Sequence, residues 1–112
     1  MLWKRVKRIR KINFSFIYVY MYKILPYTYE QAKKLNVIVK PSENPKFKID
    51  VYDLNNKFLF SGGSPTYFDY PHYIQSKGKT YADERRRLYR IRHFKEIQNV
   101  KSRGWYISKL LW

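Results

Sequence analysis

Cysteine is absent from the sequence, which excludes disulfides and thiolate metal sites and leaves the compartment undetermined. Histidine occurs only at His72 and His93, so a zinc site would have to draw its other ligands from carboxylates. Those are scarce too, at 8 Asp and Glu, and none precedes Glu30. Asp50 and Asp53 stand at odd spacing on a strand and face opposite sides. Asp83 and Glu84 are neighbours on a helix, so neither pair converges on two metal ions ~4 Å apart. No Ser/His/Asp ordering, no H-E-x-x-H and no P-loop is present. The doubled glycine, Gly62-Gly63, lacks the Lys-Ser/Thr of a Walker motif and reads as a flexible exit from a strand. The expectation is a protein that is not an enzyme and carries no catalytic residue, cofactor or metal.

What is abundant is positive charge and aromatic surface. Lys and Arg number 24, for a net charge of +16 on 112 residues. A chain this small and this cationic repels itself when folded, so a polyanion or an acidic protein surface is the expected neighbour. Aromatic residues make up 20%, with 12 Tyr, 7 Phe and 3 Trp. That composition builds a core and argues against a disordered basic tail.

Residues 1–12, MLWKRVKRIRKI, form a basic arm carrying Lys4, Arg5, Lys7, Arg8, Arg10 and Lys11. Asn13 to Leu25, NFSFIYVYMYKIL, is β-branched and aromatic enough for a strand with two apolar faces. A basic segment before an apolar run also resembles a signal or anchor. This run, however, is crowded with Tyr, is shorter than the ~20 residues a spanning helix needs, and lacks a small-residue cleavage site. Membrane contact is thus the lesser expectation and docking on another subunit the greater. Met21 can also serve as an internal start.

Further along, Thr28 and Gln31 have the spacing of a capping box opening a short helix that ends at Asn36. Val37 to Val39 reads as a brief strand, and Lys48 to Phe60 as a hairpin turning at Asp53-Leu54-Asn55-Asn56. Pro71 suits the first turn of a helix capped by Asp69 or Tyr70 and ended by Gly78. The longest clean helical pattern is Thr80 to Glu96, with Thr80 as N-cap and Asp83 and Glu84 in the first turn. At ~100° per residue, Tyr81, Ala82, Leu88 and Tyr89 share a stripe with Arg85 and Arg92. Those two arginines either lay their stems over the core or hold their forks against a carboxylate, phosphate or aromatic plane. Arg86, Arg87 and Arg90 point elsewhere. Trp105 to Trp112, WYISKLLW, is a last helical turn or a tail docked in a groove, its rings anchoring something.

Together these elements predict an α+β fold: a small single domain at residues 26–112, with a β-hairpin or short sheet packed by two or three helices. Residues 1–25 are expected as an extended basic N-terminal arm and Tyr-rich apolar strand.

From about Tyr27 onward the chain carries the motifs YTYEQAKKLNVIVKPS, KIDVYD, SGGSPTYFDYPHYIQSKGKTYADERRRLYRIRH and SRGWYISKLLW. In these it resembles a family of small basic proteins encoded by giant DNA viruses. Asp69-Tyr70-Pro71, Arg85-Arg86 with Tyr89, Arg92-His93 and Leu110-Leu111-Trp112 carry most of it. Ser64-Pro65-Thr66 stands where similar proteins have a further glycine, and Phe94-Lys95-Glu96 replaces an expected Lys-Asp pair. The resemblance implies a viral protein placed in or near the virion, with no activity attached.

Two functions follow as expectations. One is a minor capsid or cement protein that contacts capsid or other virion proteins through the arm and aromatic anchors Trp3, Tyr18, Tyr20, Trp105 and Trp112. The other is a DNA-binding packaging or condensing protein, with the arm and Arg85, Arg86, Arg87, Arg90 and Arg92 neutralising phosphates. Either is a hetero-assembly rather than an isolated monomer.

Overall fold

Proline and asparagine set the two ends of the first helix in the structure, a computed structural model that describes residues 21–112. Pro26 occupies the first turn of α1 (Pro26–Leu35), where its missing N–H is not needed. Asn36 closes the helix in the left-handed region at φ 58°. The expected capping box does not form. Thr28 is already inside the helix, and its hydroxyl donates to the Leu110 carbonyl at 2.8 Å, while the Gln31 side-chain amide donates to the Lys109 carbonyl at 3.1 Å. Pro26 starts the helix three residues early, and the orphan carbonyls of a distant helix end then claim both side chains.

Three strands follow: β1 (Ile38–Pro41), β2 (Ile49–Tyr52) and β3 (Phe58–Gly62), which form an antiparallel sheet in that order. Val39 stands opposite Val51, and Val51 opposite Phe60. Lys40 stands opposite Asp50, and Asp50 opposite Ser61. Alternation therefore sends the first set toward the core and the second outward. The hairpin turns where expected, with Asp53 accepting from the Asn55 and Lys57 N–H groups at 2.8 and 2.9 Å and Asn56 at φ 66°. The two glycines are not a loose exit. A Cβ on Gly62 would lie 2.5 Å from Ile107 Cδ1, and one on Gly63, at φ +86°, would lie 2.8 Å from Leu111 Cδ1. They let the C-terminal helix sit directly on β3.

Asp69 caps α2 (Tyr70–Lys77), with Pro71 in its first turn. Gly78, at φ +94°, ends it and begins α3 (Lys79–Arg92) with no linker. Thr80 is therefore a helical residue and not the cap. The expected single helix to Glu96 breaks at His93, and a short α4 (Phe94–Gln98) turns off it toward Gly104, where a Cβ would meet Glu96 Cβ at 2.7 Å. Ser102 caps α5 (Arg103–Leu110) by accepting from the Trp105 N–H at 3.1 Å. Leu111 and Trp112 follow it into the core.

The fold is α+β, a small single domain with five helices among the described residues where two or three were expected. Its core joins Ile24, Val39, Ile49, Val51, Ala82, Tyr89, Leu110 and Trp112. Burial of each large aliphatic side chain contributes about 1.5–3 kcal/mol. Residues 21–25 form no strand; Tyr22, Ile24 and Leu25 pack on the body instead. The rest of the expected strand and the basic arm lie outside the described residues. No helix among those described is long and apolar enough to cross a membrane.

Candidate functional site

Packing Trp112 back onto α3 builds a stack of three rings. Trp112 lies 4.4 Å from Tyr89 and nearly parallel to it, and Tyr89 lies 4.2 Å from His93. Burial pushes the Tyr89 hydroxyl up to about 12. Tyr73 flanks the stack at 6.2 Å from Trp112, with Phe68 edge-on to it at 5.5 Å. These rings line a half-open groove of about 1080 Å³ between the hairpin base, the loop before α2, and the end of α3 with α4.

Cations surround this aromatic floor. Arg85 and Arg92 reach the groove from α3; Lys46, Lys95 and Arg103 reach it from the loop after β1, from α4 and from α5. Among the described residues none of these five pairs with a carboxylate, and residues 1–20 contain no Asp or Glu. The Arg85 guanidinium lies over the Tyr73 ring at 5.7 Å, and its buried Nε has no hydrogen-bond partner among the described residues. Of the two readings for this arginine, the aromatic plane is the one that holds. Glu96 is the groove's only carboxylate among the described residues, and it is hydrogen-bonded to His93 Nδ1.

A buried ion network supports one wall. Asp69, fully shielded from solvent, accepts from Lys48 Nζ at 3.0 Å, from the His72 N–H at 3.2 Å and from the Tyr22 hydroxyl, and meets His72 Nδ1 at 2.8 Å. Burial alone would raise the Asp69 carboxyl, but the His72 contact, the Lys48 charge and the Tyr22 hydroxyl together hold it below the usual carboxylate range. Burial outweighs the attraction of Asp69 for Lys48 and pulls the ammonium down. Burial, then the nearby Asp69 charge, pushes the Tyr22 hydroxyl up.

The remaining arginines of α3 are spread over other surfaces. Arg86 stacks on Tyr70 at 3.8 Å, approaches Asp83 at 3.7 Å and donates to the Trp112 carbonyl at 3.4 Å. Arg87 pairs with Glu84 at 2.7 Å, a contact that holds Glu84 below its ordinary value. Asp83, which Arg86 approaches from i+3, is held mainly by Lys79 at 2.9 Å. Arg90 is exposed on the far side of the helix, beside Ile91 and Phe94. The expected arginine cluster is thus divided, with Arg85 and Arg92 facing the groove and Arg87 and Arg90 away from it.

Among the expected anchors, Trp112 is spent inside the chain, because stacking on Tyr89 buries it. Trp105 stays half-buried, edge-on to Tyr106 at 5.0 Å with Lys109 Nζ 5.5 Å over its ring. Trp3, Tyr18, Tyr20 and the six cations of the arm lie outside the described residues. Lys46, Tyr67, Phe68, Lys95 and Arg103 join the site without having been foreseen. They come from four separate segments, and the aromatic density of residues 66–73 hinted at Tyr67 and Phe68 alone.

No protein-family model matches the chain, nor does any curated protein or solved structure.

Proposed function

We propose that the chain is a minor structural protein of a giant-DNA-virus particle, placed where the shell meets the packaged genome, and that it works by contact and not by catalysis. The observation that carries this reading is the unneutralised charge around the groove. Six of the 24 cationic side chains precede residue 21, which leaves 18 facing 8 carboxylates in the body. Asp69, Asp83, Glu84 and Glu96 are already engaged within the chain. An external polyanion would supply the counter-charge and release the small ions that otherwise balance it, and packaged DNA is the densest one inside such a particle.

Contact with shell neighbours is the second half of the reading. The edge strand β3 exposes Phe58 and Leu59, and Trp105 keeps part of its ring accessible, so apolar surface remains for another subunit. Mass spectrometry of separated shell and core fractions tests the placement. The protein is expected in the particle, retained with shell fragments and released from them by nuclease or high salt. Its absence from purified particles would overturn the proposal.

A further inference from the structure

We infer that the groove binds single-stranded nucleic acid, taking phosphates on Arg85, Arg92 and Lys95 and stacking unpaired bases on Tyr67 and Phe68. This rests on nucleic acid being the polyanion and specifies which form of it the body selects. A uniform cationic surface would serve a duplex, whose bases are hidden and whose phosphates alone face outward. The groove offers more than charge. Tyr67 is 66% exposed and Phe68 48% exposed, and both stand side by side at its rim. Planar faces beside unpaired guanidiniums are what a splayed strand uses, since every base has a face to stack and every linkage a phosphate to pair.

Arg85 adds a specific demand. Its Nε is buried and unpartnered among the described residues while its fork is steadied over Tyr73. A buried donor without an acceptor is costly, and a phosphate oxygen entering the groove would satisfy it. At about 1080 Å³ and open along one side, the space sits at the upper limit of small-molecule clefts, which suits a chain passing through better than an enclosed ligand. An acidic peptide would answer the charges equally well but would leave the Tyr67 and Phe68 faces unused.

The test is fluorescence anisotropy of the full chain with a labelled mixed-sequence single-stranded 20-mer, the matching duplex, and a poly-glutamate competitor. Tyr67→Ala and the Tyr67→Ala/Phe68→Ala pair remove ring faces without removing charge; Arg92→Ala and Arg90→Ala remove one charge inside and outside the groove. The ring variants are expected to weaken single-strand binding about five- to a hundredfold while duplex binding changes less than about twofold. Arg92→Ala should weaken the single strand more than Arg90→Ala does. Unchanged thermal midpoints confirm that Tyr67→Ala remains folded.

Equal losses for Arg90→Ala and Arg92→Ala, with no effect of the ring variants, would overturn the groove assignment while leaving salt-dependent DNA binding intact. Poly-glutamate displacing the strand at equal charge concentration would also overturn it, in favour of an acidic protein segment. Absence of binding to either nucleic acid would instead remove the reading beneath it.

Discussion

Replacing Asp69 by Asn removes one negative charge from a site that water does not reach, while keeping an oxygen able to cap α2. The Lys48 ammonium, also buried, then has no counter-charge. Breaking a buried pair from one side costs about 3–5 kcal/mol, because the survivor remains desolvated and uncompensated. Against a total stability of about 5–15 kcal/mol this is a large fraction. At about 4–8 °C per kcal/mol for a body of this size, the thermal midpoint should fall by roughly 12–40 °C. Lys48→Met added to Asp69→Asn should recover about half of the loss or more, since two neutral side chains leave no stranded charge.

Denaturant titrations of the wild type, the two single variants and the double variant close the cycle. The pH dependence supplies a further check of sign. Asp69 is held below its ordinary 3.8, so its contribution is present above that value and is lost as pH falls through its folded pKa. The wild type should therefore approach the Asp69→Asn variant in stability as pH drops below about 4. A loss under about 1 kcal/mol for Asp69→Asn, or strictly additive single variants, would refute the reasoning.

Three further outcomes are expected. Trp112→Ala should destabilise the body by about 3–5 kcal/mol in denaturant unfolding, because the ring is buried on Tyr89 and does not wait for a partner. Gly62→Val should cost about 1–3 kcal/mol by driving α5 off β3 at Ile107, and trimming Ile107 to Ala alongside it should return part of that loss. Tyr89, raised to about 12 from 10.0, contributes stability that is whole below pH 10 and is lost as pH rises through 12, about 2–3 kcal/mol in all. Tyr89→Phe should flatten that part of the alkaline unfolding curve.

The parts of the fold legible in the sequence were those governed by local backbone chemistry. Asn36 at the end of α1, the Asp53–Asn56 turn, and Asp69 with Pro71 opening α2 each follow from what a few adjacent residues permit. Illegible were choices made by distant partners. Thr28 and Gln31 have the spacing of a capping box, but α5, some 80 residues later, takes both side chains. The break at His93 depends on its ring stacking under Tyr89, and on α4 meeting Gly104, so helical periodicity ran straight through it.

The site divided in the same way. Arg85 and Arg92 were found because they interrupt an apolar stripe, a signal contained within one helix. The further partners of Arg86 were not legible, since Tyr70 and the Trp112 carbonyl approach it only after the C-terminus folds back. Lys46 and Arg103 come from segments 57 residues apart and carried no local mark.

The account stands most directly on one titration, the affinity of the full chain for duplex DNA measured across salt concentration. Counterion release predicts a straight fall of log affinity against log salt, with a slope near −0.9 for each phosphate neutralised and a total of several units. An affinity that stays level as salt rises would mean that the uncompensated cations of the chain neutralise no duplex phosphates, and would contradict its placement against the packaged genome.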